Sequence, residues 1–302
     1  MGRKYLKWGM MVICCLVLQM TGLAQTSSTY KKEIADWDAK RRKSLTAESG
    51  WFNLAGLYWL DKGKNTFGSS KENKLVFPEG TIDAKAGYFE WSGNTVKMVA
   101  AENVPVLVNG QPSAEAIIFH LDSVGRNPVV LTYKNLKWTV IRREDKIGIR
   151  LRDLKSEMLT RFKGIERFPA DTNWRLPAVL SKNLLQSSIP ITNVLGQTTY
   201  QVSPGKLIFT IDKKQYSLDA LDEGEEDLFI IFGDGTSGVS TYASGRFLAV
   251  KRPGPDGKTV IDFNKSYNPP CAFTPYATCP IPPSQNQLSV AITAGEKNYE
   301  VH

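Results

Sequence analysis

The sequence predicts a mainly β protein, an antiparallel sandwich or barrel-like fold, carrying one amphipathic helix at its N-terminal end. Three observations lead there. From about residue 50 onward, apolar and polar residues alternate in short segments. Gly, Asn, Asp and Pro separate those segments at close intervals. No regular alternation of strands with helical stretches occurs, which excludes a doubly wound sheet or a barrel of parallel strands.

In chain order, the first residues are set apart from the fold. Arg3, Lys4 and Lys7 form a basic start, and "MMVICCLVLQM" (10–20) is an apolar run too short to span a bilayer. "TGLAQ" then offers Gly22 and Ala24 as small residues before a cut at Ala24-Gln25. This pattern predicts a secretory signal peptide over residues 1–24 and a periplasmic or secreted mature chain. Cys14 and Cys15 lie inside the apolar run, not after it, which argues against a lipoprotein. Later segments lack the long apolar run a transmembrane helix needs, so none is expected in the mature chain. Losing three basic residues lowers the net charge from +8 to +5. So small an excess does not point to nucleic acid.

Residues 25–46 read as a helical arm. In "TYKKEIADWDAKRRKSL" (29–45), Tyr30, Ile34, Trp37 and Leu45 recur near helical spacing, and charged residues cover the rest. The basic run 40–43 near the C-terminal end suits the helix dipole.

Residues 47–302 form the β-rich region. "KLVFP", "GYFEWSGNTVKMVA", "VPVLVNG", "EAIIFHL", "VVLTY" and "LKWTVIRREDKIGIRLRD" are its first strands. Gly93-Asn94 and Asn109-Gly110 supply turns, and Arg143–Gly148 the head of a hairpin. "KLIFTIDKKQYSLDAL", "EDLFIIFGD", "RFLAV", "KTVIDF" and "LSVAIT" continue the pattern. The stretch 171–196, "DTNWRLPAVLSKNLLQSSIPITNVLG", is the least regular and the candidate internal boundary.

Three polar clusters are candidate sites. Arg150 and Arg152 share one face of their strand, where two guanidinium groups could grip a carboxylate or phosphate, or pair with nearby acids. "FGDGTSGVSTYASGRFLAV" (232–250) sets Asp234, Thr236, Ser237, Thr241, Tyr242 and Arg246 among glycines that allow close backbone approach. It has neither a P-loop ending nor a G-x-S-x-G elbow. The third cluster, "VIDFNKSYNPPCAFTPYATCPIPP", holds Asp262, Asn264, Tyr267 and Asn268 ahead of a double proline.

Residue counts narrow the chemistry. Of two histidines, His302 is terminal, so a Ser-His-Asp arrangement would need His120, which reads better as a strand-end residue. Two histidines all but exclude a histidine-rich zinc or iron centre but not a carboxylate-bound metal; no metal or cofactor is expected. The acidic run 222–227 lacks EF-hand spacing and reads as an exposed turn. Cys271 and Cys279 are spaced C-x₇-C, unlike a redox or zinc C-x-x-C. A disulfide, two buried thiols and a reactive cysteine all remain open; a bond would close a loop worth roughly 2.6 kcal/mol.

The segments "GWFNLAGLYWLDKGKNTFG", "VIRREDKIGIRLRD", "FKGIERFP", "GDGTSGVSTYASGRFL" and "DFNKSYNPPCAFTPYATCPIPPSQNQLSVAITAGEK" together resemble the bacterial domain-of-unknown-function family 1684, over about residues 45–299. The resemblance implies recurring polar positions at Arg142, Arg143, Arg150, Arg152, Asp153, Thr236, Thr241, Tyr242, Gly245, Arg246, Asp262, Asn264, Asn268, Cys271, Thr274, Tyr276 and Cys279. Gly233 departs from it, standing where the family's pattern has arginine. The resemblance implies no activity. It extends to members without export signals, so the cysteine pair need not be an obligatory disulfide.

The leading expectation is an exported soluble protein that binds a small polar or anionic ligand through Arg150, Arg152, Thr241, Tyr242, Arg246, Asn264, Asn268 and Tyr276. One alternative is a carboxylate-dependent hydrolase using Asp234 and Asp262. Another is a structural envelope protein whose polar motifs lock turns. The sequence does not decide between enzyme and binder.

Overall fold

The structure, a computed structural model, describes residues 28–123 and 127–299. The expected signal peptide with its Ala24-Gln25 cleavage site and the terminal His302 lie outside those residues. Helix α1 covers residues 28–46, as the apolar spacing predicts, with Tyr30, Ile34 and Leu45 buried. Among the described residues, no helix is long and apolar enough to cross a membrane. The described residues form two compact units: Ser44–Lys163 with Phe273–Ala277, and residues 28–43, 164–272 and 278–299. The chain passes from one to the other at Lys163/Gly164, ahead of the irregular stretch 171–196.

The first unit contains β1 (Leu54–Trp59), β2 (Gly63–Gly68), β3 (Leu75–Val76), β4 (Gly87–Ser92), β5 (Thr95–Ala100), β6 (Leu107–Val108), β7 (Gln111–Pro112), β8 (Glu115–His120), β9 (Leu131–Tyr133), β10 (Leu136–Arg143) and β11 (Lys146–Asp153). One sheet runs β1-β11-β10-β9-β6-β7 and the other β3-β2-β4-β5-β8. Pairing is antiparallel except between β2 and β3. Phe67, Phe89 and Met98 of one sheet meet Leu131, Trp138, Ile149 and Leu151 of the other in a single buried cluster, which makes the unit a β-sandwich. Phe67 stacks on Phe89 at 4.6 Å between ring centres, and Phe77 meets Trp138 edge-on at 5.9 Å. The expected turns form at Gly93-Asn94 and Asn109-Gly110, with φ of 53° and 50° at their first residues, and the hairpin head expected over 143–148 tightens to Glu144-Asp145, with φ of 53° at Glu144. A short helix, α2 (Glu157–Arg161), follows, capped by Ser156.

The second unit contains β12 (Arg175–Thr192), β13 (Thr198–Ile211), β14 (Lys214–Ala220), β15 (Asp227–Phe232), β16 (Arg246–Lys251) and β17 (Lys258–Asp262). They form an antiparallel sheet β14-β13-β12-β17 and a separate β15-β16 pair. The stretch read as least regular is therefore β12, which pairs on both sides. Phe263 lies at the centre of the core, its ring edge-on to Phe209 and Phe232 at 5.5 Å each.

"LSVAIT" (288–293) does not form the expected strand, although Leu288 and Ile292 enter the core. Its backbone partners are irregular. Leu288 N–H donates to Gly233 O, Gly235 N–H donates to Val290 O, and the Ile292 carbonyl accepts from a guanidinium. These groups find partners without a ladder.

Candidate functional site

The second unit is organised around two buried ionic centres. Arg246 opens β16, and its side chain is fully buried. Its Nη2 donates to Asp234 Oδ2 at 2.8 Å and to the Ile292 carbonyl at 3.0 Å. Nη1 donates to the carbonyls of Ala294 and Glu296. Burial pushes the guanidinium below its ordinary pKa, and Asp234 opposes that shift. Asp234 Oδ1 accepts from the Thr236 N–H at 2.8 Å, the Thr236 hydroxyl at 2.6 Å and the Ile292 N–H at 3.1 Å. Thr236 and Thr241 share a hydroxyl contact of 2.9 Å. The glycine-rich loop is thus closed on itself, and Arg246 clamps the C-terminal segment to it.

Glu296 is the second centre, with no exposed surface. Arg41 of α1 donates from Nε to Glu296 Oε1 at 3.2 Å and from Nη2 to the Asn268 carbonyl at 2.9 Å. The Asn268 N–H donates to Glu296 Oε2 at 2.6 Å, and its side-chain amide donates to the Lys297 carbonyl at 2.7 Å. Arg167 lies between Glu296 Oε1 at 3.7 Å and Asp38 Oδ1 at 3.6 Å, and its guanidinium covers the Trp37 ring. Burial raises the Glu296 pKa, while Arg41, the Asn268 N–H and Arg167 oppose it. Burial also lowers that of Arg167, and pushes that of Tyr267, beneath the Arg41 guanidinium, up to about 12.

Asp262 and Asn264 form a third knot. Tyr30 of α1 donates its hydroxyl to Asp262 Oδ1 at 2.8 Å, and Asn264 returns an amide donor to the Tyr30 oxygen at 2.8 Å. Burial, then Asp262, raises the Tyr30 pKa. Asn264 also exchanges hydrogen bonds with the Asp171 backbone.

Cys271 and Cys279 lie together, each backbone N–H donating to the other's sulfur, at 3.0 Å to Cys279 Sγ and 3.2 Å to Cys271 Sγ. Tyr242 is close enough for both sulfurs to oppose its ionisation, although burial is the larger cause of its raised pKa.

Arg150 and Arg152 belong to the first unit and serve local structure there. Arg152 donates to the Gly50 carbonyl and to Asn53 Oδ1, and so holds the approach to β1. Arg150 lies over the Trp51 ring at 5.6 Å. Arg142 and Arg143 are exposed at the β10–β11 hairpin and bond to its backbone. Asp153 accepts from the Asn135 amide and the Lys155 N–H. His120 ends β8, and its Nδ1 accepts from the Asp122 N–H. The Tyr276 N–H donates to the Thr274 hydroxyl at 3.3 Å. At Gly233 an added Cβ would meet only the end of the flexible Gln287 side chain.

A cleft of about 390 Å³ opens in the second unit, walled by Gly164, Glu166, Phe168, Val239, Ser240, Lys297, Asn298 and Tyr299. Three backbone contacts fix its walls: Phe168 N–H to Gly295 O, Lys297 N–H to Glu166 O, and Asn298 N–H to Ser240 O. Lys297 Nζ pairs with Glu166 at 3.3 Å and lies over the Phe168 ring. None of these residues was among the sequence candidates, although Val239 and Ser240 adjoin the predicted Thr241-Tyr242. "FKGIERFP" and "AGEK" were legible as motifs, but their pairing was not. Glu296, Arg41, Arg167 and Asp38 were missed too, because isolated charges carry no periodic signal.

These features define a class: an antiparallel β protein whose buried arginines bind its own backbone and carboxylates. Residues 160–297 match the family described as "Protein of unknown function (DUF1684)". An uncharacterized protein of Haloarcula marismortui, solved in solution by NMR, is 31% identical, covering 47% of this chain and 80% of its own, with a TM-score of 0.39. An FHA domain from work on phosphothreonine-dependent interactions is 14% identical, covering 32% of this chain and 92% of its own, with a TM-score of 0.23. No curated protein matches the chain.

Proposed function

We propose that this is an exported soluble protein that binds a small, polar, net-neutral ligand in the cleft between Phe168, Ser240 and Lys297. The carrying observation is the lining of that cleft. Phe168 and Tyr299 supply aromatic surface, Ser240 a hydroxyl, Asn298 an amide, and Glu166 with Lys297 a mutually cancelling charge pair. Such a wall suits a hydroxylated or zwitterionic molecule with one apolar face. It suits a bare anion less, because the cleft's ammonium is already paired and Arg246 is enclosed. Export rests on the basic, apolar and small-residue pattern of residues 1–24. Extension of the family over residues 45–159, and its bacterial character, belong to the same proposal.

Calorimetric titration of the chain from Gln25 with sugars, polyols, amino acids and organic anions tests the reading. Saturable binding of a neutral or zwitterionic compound is expected, and Ser240→Trp should abolish it without lowering the melting temperature. No binding across the panel would overturn it. That result would favour the structural role, which the internal partners of both Arg246 Nη atoms and of Asp234 support. N-terminal sequencing of chain recovered from an exporting host tests export, with Gln25 expected first.

A further inference from the structure

The cysteine pair carries chemistry that the cleft does not use. The Cys271 N–H donates to Cys279 Sγ at 3.0 Å, and the Cys279 N–H donates to Cys271 Sγ at 3.2 Å. This reciprocal arrangement brings each sulfur against the other residue's backbone, so the two sulfurs face each other across the loop. Each N–H also stabilises negative charge on the sulfur it reaches. The Cys279 side directs the Cys271 thiol below its ordinary pKa, chiefly through the hydrogen bond between the two side chains.

The surrounding backbone keeps the pair in place. The Cys279 carbonyl accepts from Val194 N–H at 3.0 Å, and Ile281 N–H donates to Thr192 O at 2.9 Å, which fastens this strand of the loop to the end of β12. On the other side, Ala272 N–H donates to Pro269 O and closes a turn at Pro270–Ala272. The two sulfurs differ in access: Cys271 is half-buried, and Cys279 is 5% exposed. Among the described residues, no third His, Cys, Asp or Glu joins them in a group able to hold a metal ion.

We propose that Cys271 and Cys279 are a reversible dithiol–disulfide pair, with Cys271 as the attacking sulfur and Cys279 as the resolving one. The co-reactant is a disulfide-bearing molecule. The Cys271 thiolate attacks one of its sulfurs; that S–S bond breaks, one half leaves as a thiolate, and a mixed disulfide remains on Cys271. The Cys279 thiolate then attacks Cys271 Sγ and expels the second half as another thiolate. Two electrons pass to the co-reactant. The two protons lost by the cysteines are available to its departing thiolates.

The test is a redox titration of the reduced chain from Gln25, which retains Cys271 and Cys279 as its cysteines. After equilibration in graded ratios of reduced to oxidised glutathione, thiols are alkylated and counted by mass. Both should disappear together, and the crosslink should map to the peptide spanning residues 271–279. Cys279→Ser should trap glutathione on Cys271, at least tenfold faster than Cys271→Ser becomes modified at Cys279. Retention of both thiols at ratios that oxidise an unstructured peptide of residues 268–283 would overturn the pair. Equal modification rates of the two variants would overturn the assigned roles. Circular dichroism verifies that each variant is folded; if either is not, the titration of the unaltered chain decides. This outcome is independent of whether the cleft binds a ligand.

Discussion

Arg246 and Glu296 show how much of the polar chemistry is directed inward. A fully buried guanidinium is costly to desolvate, and here Asp234 and three backbone carbonyls stand in for water. Removing one partner of such a pair leaves the other charged and enclosed. Glu296→Ala is therefore expected to destabilise the chain by about 3–5 kcal/mol, read as a lowered urea midpoint. A change below about 1 kcal/mol would mean that Arg41 and Arg167 find other partners. Asp222, partly exposed at the surface, behaves differently. Both its oxygens accept from Arg252, at 2.8 and 2.6 Å, and with the Gly224 N–H this holds its carboxyl down to about 2. A depressed folded-state pKa means that the pair stabilises fully above the ordinary value of 3.8, and that the effect fades as pH falls towards 2. Asp222→Asn should thus be less stable than the unaltered chain at pH 7, with the difference vanishing near the folded-state pKa. Urea midpoints across that range measure it, and added salt should shrink the gap.

Between elements, the glycines make the sharpest contrast. Gly245 precedes β16 with φ of 82°, and a Cβ there would lie 2.4 Å from Pro282 and 2.5 Å from the Phe232 carbonyl. Gly196, in the β12–β13 hairpin, has a similar φ of 77° but open space around it. Gly196→Ala should cost only the left-handed strain, about 1 kcal/mol, while Gly245→Ala adds a backbone clash and should cost clearly more. Equal losses in thermal unfolding would show that the β15–β16 connection shifts freely. The same elements show what was legible in the sequence. Alternation in "GYFEWSGNTVKMVA" gave β4, β5 and their turn, and the spacing of Tyr30 and Ile34 gave α1, because burial on one face leaves a period. β12 was hidden by Pro177, Pro190 and a run of serines, since composition resembles a loop even where both neighbouring strands pair with it. "LSVAIT" failed in the opposite sense: its apolar pattern is genuine, but Arg246 takes a carbonyl that a strand neighbour would have bonded. The candidate residues Asp234, Thr241, Arg246, Asp262, Asn264 and Asn268 do belong to connected polar networks. Their partners Glu296, Arg41 and Tyr30 come from distant sequence, where no local pattern could join them.

At the scale of the whole chain, the family match begins at residue 160, yet the unit containing it is completed by α1. The helix supplies Tyr30 to Asp262, Glu33 to Lys265 at 2.6 Å, Asp38 to Arg167 and Arg41 to Glu296. It also lays Trp37 against Tyr267, with ring centres 6.3 Å apart. Deleting it leaves Glu296 and Arg167 facing each other without the two ions that balance them, and uncovers Asp262. Losing even one buried partner costs about 3–5 kcal/mol, and a domain of this size has roughly 5–15 kcal/mol in total. A chain begun at Ser44 should consequently lose the fold of its second unit, even though every strand of that unit is present. The unit built from β1–β11 keeps its core cluster, which contains no residue of the deleted segment. Hydrogen exchange read peptide by peptide separates the two. Amides of β12–β17 should exchange at rates near those of an unfolded chain, while β4, β5, β10 and β11 remain protected. Supplying a peptide of residues 28–43 in excess should restore protection to β12–β17, because the missing groups are carried on one continuous helix. Undiminished protection of β12–β17 in the shortened chain would show that the helix decorates this unit and does not complete it.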